Sequence, residues 1–303
     1  MQNHTARGIL YLCLGILVFS LQDAIIKQVS GAYALTEVLA FRSLVGVPVL
    51  LALVQREVGW RALLSPRWGL LALRSLVVFV SYMAYYMAFP ALPLADAVAL
   101  YFTVPLFVTA LAGPVLGEKL GWKVGWAVLL GFVGVVVMLQ PGSGLFEPAA
   151  LLSLLSAALY GGSMMMARRL GTTQAASVMS FHQNAFFLLA AVATAGVLQQ
   201  LGIVHAEHPS LAFLVRPWVL PTWMDGTLMA VCGVVAAVGT LLLTSAYRVA
   251  RASAVTPFEY TGILWGPTWG YLFFGEIPRA TTLLGGAIVV IAGLVALRAA
   301  RQP

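Results

Sequence analysis

The chain has 303 residues, of which 61% are hydrophobic and only 9% are charged. Soluble globular proteins carry about 25% charged residues, so the composition excludes a soluble protein and indicates one that lies in a lipid bilayer. A spanning helix needs about 20 apolar residues, which leaves room for roughly ten spans and for no large soluble domain. The net charge of +7 comes from Lys and Arg residues scattered singly between apolar runs, whereas a nucleic-acid partner needs them clustered on one surface.

The apolar runs predict ten transmembrane helices, which we number spans 1 to 10. In chain order they cover residues 8–29, 36–54, 68–89, 94–116, 123–140, 148–167, 177–198, 226–247, 254–274 and 280–298. The runs are continuously apolar, whereas the strands of a membrane barrel alternate over about ten residues, so we expect an all-α polytopic fold. No small-residue cleavage site follows span 1, which we interpret as a retained helix and not as a signal peptide.

The basic residues predict how the spans are oriented, because Lys and Arg in short loops stay in the cytoplasm. With the N-terminus inside, twelve basic residues take inner positions and three take outer positions, namely Lys27, Arg216 and Arg279. We therefore expect both termini to be cytoplasmic. The same orientation puts the longest loop, residues 199–225, outside the cell.

A repeat search aligns residues 88–120 with residues 246–278 without gaps. Both stretches end a span on a Gly-Glu pair, which contains Glu118 in the first copy and Glu276 in the second. We therefore predict two five-helix halves, residues 1–141 and 142–303. Because five is odd, the second half is inverted, and inverted repeats allow alternating access to a site near the membrane midplane.

Prolines interrupt the pattern inside two spans of equivalent position. Span 4 contains Pro105 and Pro114, and span 9 contains Pro257 and Pro267. Each removes a backbone hydrogen bond and is tolerated where a neighbour or a cavity satisfies the freed carbonyl. The pattern fits hinges, and it fits ordinary packing as well.

Four segments of the chain resemble the EamA-type transporters of the drug/metabolite transporter superfamily. They are EVLAFRSLVG in span 2, PLADAVALYFTVPLFVTALAGPVLGEKLGW through span 4, SAVTPFEYTGILWGPTWGYLFFGEIP through span 9 and LLGGAIVVIAGL in span 10. The resemblance extends over essentially the whole chain and is strongest to the bacterial amino-acid exporters. It implies an inner-membrane carrier that exports amino acids or related metabolites.

Ionisable side chains inside a span cost a few kcal/mol to insert and normally face protein or water. Asp23 in span 1, with Lys27 one turn later, and Arg42 in span 2 are candidates for coupling or for a structural ion pair. Glu259 in span 9 and His182 in span 7 are further coupling or gating candidates. The structural alternative for Glu259 is an interfacial residue whose side chain extends to water. The alternative for His182 is a packing residue with satisfied hydrogen bonds.

Three carboxylates at span ends have a simpler interpretation. Asp96 follows Pro93 at the start of span 4, and Glu118 and Glu276 precede the next helix in tight loops. We expect each of them to cap the N-terminus of the helix it begins or precedes.

Aromatic and hydroxyl side chains share faces of several spans, as they would in a cavity that takes a zwitterion with a variable side chain. Belts of Tyr and Trp at the membrane interfaces and packing by methionine are the alternatives. The candidate substrate-binding residues are Tyr82, Tyr86, Tyr101, Phe102, Tyr160, Met164, Thr244, Tyr260 and Trp265.

The chain has no HExxH motif and no P-loop, so we expect neither an enzyme nor direct use of ATP. Cys13 and Cys232 lack ligand-spaced neighbours, and we expect no metal and no cofactor. The alternative functions are a channel, a non-transporting receptor, or a carrier of the same fold for a nucleotide-sugar or a drug.

Four glycines of spans 5 and 10 favour helix packing or self-association. We therefore expect either a monomer or a homodimer. The four glycines are Gly131, Gly134, Gly286 and Gly293.

Overall fold

The computed structural model describes residues 2–64, 68–116, 121–142, 146–170, 175–249 and 256–299. Some side chains within these ranges, that of Thr244 among them, are outside the described set. In the described residues the chain forms helices and no strand. The α-helices are α1 (Gln2–Val29), α2 (Leu35–Glu57), α3 (Trp68–Met87), α4 (Leu94–Tyr101), α5 (Val104–Leu116), α6 (Trp122–Leu139), α7 (Ala150–Leu170), α8 (Ala176–Gln200), α9 (Pro209–Val215), α10 (Trp223–Val249), α11 (Gly262–Phe274) and α12 (Ala280–Ala299).

The all-α prediction is confirmed, and every predicted span coincides with helical structure. Among the described helices, α1, α2, α3, α6, α8 and α10 are long and apolar enough to cross a membrane. Shorter apolar helical stretches at Leu94–Val108, Ala150–Met164 and Ala280–Ala296 correspond to spans 4, 6 and 10. Span 9 corresponds to a 3-10 helix at Thr256–Thr261 that continues directly into α11.

Span 4 is interrupted near one of the prolines that the sequence analysis identified. The span divides into α4 and α5 at Phe102 and Thr103. Pro105 has no N–H to donate to the carbonyl of Tyr101, so the α-helical ladder cannot continue through this point. The Thr103 hydroxyl instead donates to the carbonyl of Leu100 at 2.7 Å. The break leaves Tyr101 and Phe102 at the end of a short helix.

The described residues cluster into two compact units, and each takes helices from both predicted halves. Unit 1 comprises Met1–Phe79 and Arg169–Glu259, and unit 2 comprises Val80–Arg168 and Tyr260–Pro303. In unit 1, α10 packs on α1 and α2, and α2 packs on α8; in unit 2, α4 packs on α11 and α6 packs on α12. The α2–α8, α4–α11 and α6–α12 pairs join spans that are equivalent in the predicted repeat. The division into residues 1–141 and 142–303 and the inversion of the second half stay predictions.

Glycines allow the helices within each unit to approach closely. A Cβ added at Gly134 of α6 would lie 2.7 Å from the backbone oxygen of Gly285 in α12. One added at Gly233 of α10 would lie 2.5 Å from the backbone oxygen of Arg42 in α2. The packing role predicted for Gly134 is confirmed, and its partner is Gly285, which the sequence analysis did not single out.

Residues 201–222, between α8 and α10, fold back on the corner that joins α1 to α2, and we call them the strap. Arg216 donates through Nη1 to the backbone oxygens of Ser30 and Tyr33, both at 3.0 Å. The indole N–H of Trp218 donates to the Thr36 hydroxyl at 2.8 Å. The strap also contains α9, whose Phe213 is fully buried. The longest loop of unit 1 is thus attached to α1 and α2 through polar contacts.

Tyr33, in the corner between α1 and α2, contacts the C-terminal end of the strap. Its hydroxyl donates to Asp225 Oδ2 at 2.7 Å and accepts the backbone N–H of Thr222 at 3.0 Å. The strap in addition reaches Glu37, because the N–H of Val219 donates to Glu37 Oε2 at 3.3 Å. Glu37 is buried in the first turn of α2, and the sequence analysis did not identify this carboxylate.

We expect Tyr33→Phe to loosen the strap, because the phenylalanine ring can neither accept from Thr222 nor donate to Asp225. A neutral hydrogen bond contributes about 1 kcal/mol, so amide exchange in residues 216–224 should become about fivefold faster or more. Hydrogen–deuterium exchange followed by mass spectrometry measures the change. Tyr271→Phe is the matched control, since Tyr271 is 64% exposed on α11. Unchanged exchange in Tyr33→Phe would contradict the attachment described above.

Candidate functional site

Five rings from three helices form one contiguous group in unit 2, which we call the tyrosine cluster. Its members are Tyr82, Tyr85 and Tyr86 of α3, Tyr101 of α4 and Tyr160 of α7. Ring centroids are 5.6 Å apart for Tyr82 and Tyr86, 6.4 Å for Tyr82 and Tyr160, 5.8 Å for Tyr101 and Tyr160, and 4.5 Å for Tyr85 and Tyr101. These separations are typical of favourable aromatic pairs. Four of the predicted substrate-binding residues are therefore brought together.

Local hydrogen bonds explain how the three helices position these rings. The hydroxyl of Ser81, one residue before Tyr82, donates to the backbone oxygen of Ser156 in α7 at 2.9 Å. In the next turn of α7, the Ser163 hydroxyl donates to the backbone oxygen of Tyr160 at 2.7 Å. The break after Tyr101 ends α4 at the ring itself. The Ser81 bond thus joins α3 to α7 next to Tyr82, whereas the Ser163 bond lies within α7.

The rings of the cluster differ in burial. Tyr86 is 1% exposed and Tyr85 is buried as well, whereas Tyr82, Tyr101 and Tyr160 are half-buried. The three half-buried rings therefore leave part of their surface uncovered by the described residues of the protein. The sequence analysis missed Tyr85 because it followed the i, i+4 spacing from Tyr82 to Tyr86, although Tyr85 shares the face with Tyr82 through the i, i+3 spacing.

A second aromatic group runs along α11 in the same unit. Trp265 stacks on Trp269 with centroids 5.5 Å apart, and Trp269 stacks on Phe273 at 5.6 Å. The indole N–H of Trp265 is buried and has no hydrogen-bond acceptor among the described residues. A buried donor without an acceptor is costly unless water or a ligand accepts from it. Trp265 therefore offers both a ring and a donor to a bound molecule.

Packing accounts for the positions of two other predicted substrate-binding residues. The ring of Phe102 lies against Gly262 in the α4–α11 contact, and the ring of Tyr260 is buried against Gly293 of α12. Met164 is half-buried on α7. The side chain of Thr244 lies outside those that the structure describes.

The coupling candidates fall in unit 1. Arg42 is only 2% exposed, and its guanidinium carbon lies 5.6 Å from the ring centroid of Phe187 in α8. Asp23 is half-buried in α1. Glu259 is half-buried in the 3-10 helix that precedes α11.

His182 of α8 has local partners in unit 1. Its Nδ1 lies 2.8 Å from the backbone oxygen of Val178, one turn earlier. Its ring contacts that of Trp68 edge-on, with centroids 5.0 Å apart. These contacts match the hydrogen-bonded packing histidine that the sequence analysis gave as the alternative to a gating role.

Asp96 lies in the first turn of α4, whose N-cap residue is Pro93. The Asp96 carboxylate also accepts from the Thr282 hydroxyl of α12 at 2.5 Å. Glu276 does act at a helix N-terminus, but its Oε2 accepts from the backbone N–H of Leu94, which begins α4 and not the following helix. These carboxylates tie helices that are distant in sequence. Glu118 lies outside the described residues.

Unit 1 contains a further buried cation within span 3 that the sequence analysis did not identify. Arg74 is buried in α3 and donates through Nη1 to Gln183 Oε1 of α8 at 3.3 Å. A pocket of about 240 Å³ lies elsewhere in this unit, where Arg56, Glu57 and Ser177 are among its lining residues. In the parts of the chain that the structure describes, no three His, Cys, Asp or Glu side chains are grouped as a metal site would require.

Comparisons with known proteins agree with this architecture. The EamA-like transporter family matches residues 6–140. The pseudopaline exporter CntI of Pseudomonas aeruginosa is 30% identical over 94% of this chain and 94% of its own. A riboflavin transporter of Vibrio cholerae is 26% identical over 96% and 93%, and an S-adenosylmethionine uptake transporter of Rickettsia prowazekii is 25% identical over 95% and 91%.

One solved crystal structure aligns with 98% of this chain and 98% of its own with a TM-score of 0.64. Its 20% sequence identity supports the shared fold alone. The relatives go further, because they extend along nearly the whole chain, and the family match covers residues 6–140. The chain belongs to the EamA-like transporter family, so it is a multi-pass membrane transporter of small molecules and not an enzyme.

Proposed function

We propose that this transporter is a secondary carrier of the bacterial inner membrane that exports amino acids or related small metabolites by alternating access. The observation that carries the proposal is the tyrosine cluster of unit 2. Its half-buried rings supply apolar area for a variable side chain, and their hydroxyls can orient a polar end group. A site built from rings and hydroxyls accepts ligands of differing shape, so we expect broad specificity.

Trp265 supports the same assignment. Its buried indole N–H can donate to a carboxylate or carbonyl oxygen of the substrate, while its ring extends the apolar surface of unit 2. In our proposal Tyr82, Tyr101, Tyr160 and Trp265 contact the substrate. Tyr86, Phe102 and Tyr260 then act mainly as support for these residues, because their rings are buried or packed against neighbouring helices.

The relatives widen the range of substrates that have to be considered. One is named an exporter of pseudopaline, and others are named for riboflavin and for uptake of S-adenosylmethionine. The exporter shares the highest of these identities with the chain, which favours outward transport. A carrier of the same fold for a larger metabolite that contains a ring system is the second candidate, because an aromatic cluster suits such a molecule as well.

Transport in liposomes tests the proposal. Purified protein would be reconstituted, and uptake of radiolabelled amino acids, riboflavin and S-adenosylmethionine would be measured with and without an imposed pH gradient. We expect several amino acids to accumulate and to exchange in counterflow. Conductance without counterflow would indicate a channel, and binding without uptake would indicate a receptor. Accumulation of riboflavin or S-adenosylmethionine alone would favour the second candidate.

Asp23 is proposed to carry the coupling proton, with Arg42 setting its charge environment. We expect Asp23→Asn to abolish accumulation against a gradient and to leave equilibrium exchange intact, because exchange requires no net proton movement. Accumulation and counterflow in the same liposomes measure the two activities. Glu207→Gln is the matched carboxylate-to-amide control, since Glu207 is exposed in the strap. Intact accumulation in Asp23→Asn would remove this residue from the mechanism.

Topology provides an independent prediction. We expect both termini and the loop around Arg168 and Arg169 to be cytoplasmic, and the strap to be outside, because the positive charges favour this orientation. Single cysteines introduced into a variant without Cys13 and Cys232 can be labelled by a membrane-impermeant maleimide in intact cells. Labelling at position 205 without labelling at position 7 is the expected result. The reverse pattern would invert the orientation, and labelling at both would contradict it.

A further inference from the structure

A groove lies between two helices of unit 2, away from the tyrosine cluster. It has a volume of about 700 Å³ and lies between the first turns of α6 and the last turns of α12. Its lining includes Trp122, Lys123, Trp126 and Leu130 of α6, and Val295 and Arg298 of α12. The two helices are antiparallel and pack backbone to backbone at Gly134 and Gly285, further along the pair. The groove is therefore an opening at one end of a tightly packed pair.

The lining changes in character along the groove. Among the described residues that line it, the charged ones are Lys123 and Arg298, which are both cations at the helix ends, and none is a carboxylate. Leu130 is seven positions beyond Lys123, about 10 Å further along the helix axis, and is exposed like Val295. One end of the groove is thus cationic, and the part toward the middle of the helices is apolar.

Two tryptophans mark the level at which the groove meets the membrane surface. Trp122 is 74% exposed and Trp126 is 62% exposed, and their rings contact edge-on with centroids 6.4 Å apart. Exposed tryptophans of membrane proteins sit at the level of the lipid headgroups. The cations beside these rings are therefore at headgroup depth, and Leu130 and Val295 are at the depth of acyl chains.

We propose that this groove binds an anionic phospholipid, with its phosphate between Lys123 and Arg298 and an acyl chain along Leu130 and Val295. Charge complementarity favours a lipid with a net negative headgroup, and the apolar continuation of the groove favours a lipid over a free phosphate ion. Basic pockets between transmembrane helices on the cytoplasmic side are a known form of lipid recognition. This end of the pair is the one that the charge distribution predicts to be cytoplasmic.

Lipid retention in native mass spectrometry tests the proposal on the purified full-length protein. The detergent-solubilised carrier would be titrated with phosphatidylglycerol and, separately, with phosphatidylcholine of the same acyl chains. We expect clear preference for phosphatidylglycerol in the unmodified protein. Each Lys or Arg near the membrane surface strengthens the binding of an anionic lipid about fivefold. The K123Q/R298Q variant should therefore bind phosphatidylglycerol about thirtyfold more weakly. R7Q/R61Q removes two exposed cations predicted on the same membrane face and should keep the preference.

Fluorescence provides a second readout at the groove itself. Phosphatidylglycerol with brominated acyl chains should quench the tryptophan fluorescence of the unmodified protein more than that of W122F/W126F. In K123Q/R298Q the quenching should fall to the level of W122F/W126F. The thermal unfolding temperature of K123Q/R298Q should stay close to that of the unmodified protein. Equal binding of the two lipids, or equal quenching in all variants, would overturn the proposal. Efficient crosslinking of two chains through Lys123→Cys in both lipids would also overturn it, since the groove would then be an interface between copies.

Discussion

Gly134→Ala is expected to lower the thermal stability of the protein substantially. The added Cβ would lie 2.7 Å from the backbone oxygen of Gly285 and 3.1 Å from Cβ of Ile288, both in α12. Neither atom belongs to a flexible side-chain end, so α6 and α12 have to move apart. Overpacking of this kind costs about 1–3 kcal/mol. Thermal unfolding of the detergent-solubilised protein, followed by the loss of monodisperse protein after heating, measures the effect.

Gly125→Ala is the matched control on the same helix. A Cβ added at Gly125 meets no heavy atom within 4 Å, and replacement of a helical glycine by alanine favours the helix by up to about 1 kcal/mol. The two substitutions should therefore change the unfolding temperature in opposite directions. Equal effects would mean that α6 and α12 do not pack backbone to backbone as described.

The position of the helices could be predicted from hydropathy, since each apolar run is long enough to form its own helix and has no alternative to internal hydrogen bonding in lipid. The break in span 4 could not be located in the same way. Pro105 and Pro114 both lie within the apolar run, and the sequence does not indicate which freed carbonyl finds another donor. In the structure the interruption lies at Phe102 and Thr103, beside Pro105.

Contacts between helices were the least predictable features. The carboxylate of Glu276 accepts from Leu94, and the two residues are 182 positions apart. The same separation applies to Trp218 and Thr36. A local rule such as helix capping assigns a carboxylate to its nearest helix end, whereas tertiary packing can bring another helix end closer.

Helical spacing predicted most of the tyrosine cluster but left its composition incomplete. The i, i+4 pair of Tyr82 and Tyr86 was identified together with Tyr101 and Tyr160, since all four recur on polar faces of apolar helices. Tyr85 was missed, although its centroid lies 4.5 Å from that of Tyr101. The stacking of Trp265 on Trp269 follows the same i, i+4 rule, but the absence of an acceptor for the Trp265 N–H among the described residues is a tertiary property that spacing cannot indicate.

Removal of a single ring from the proposed substrate site is expected to weaken transport strongly. Tyr82→Ala, Tyr160→Ala and Trp265→Ala each remove a side chain worth roughly 1.5–3 kcal/mol of apolar contact when fully covered by a ligand. The concentration for half-maximal transport should therefore rise about tenfold or more in each variant. Initial rates of uptake into liposomes over a range of substrate concentrations measure the effect, at protein levels matched by quantitative immunodetection.

Conservative variants separate the ring from its polar group. Tyr160→Phe should keep most of the affinity if the ring supplies the contact, whereas Trp265→Phe should lose more, because it removes the only group of that side chain that can donate to the substrate. Tyr271→Ala, on the exposed face of α11, is the control for loss of a tyrosine ring in the same unit and should transport normally. The proposed site would be wrong if none of the four alanine variants, at Tyr82, Tyr101, Tyr160 and Trp265, changed the transport of any tested substrate. These rings would then serve packing, and the substrate would bind elsewhere.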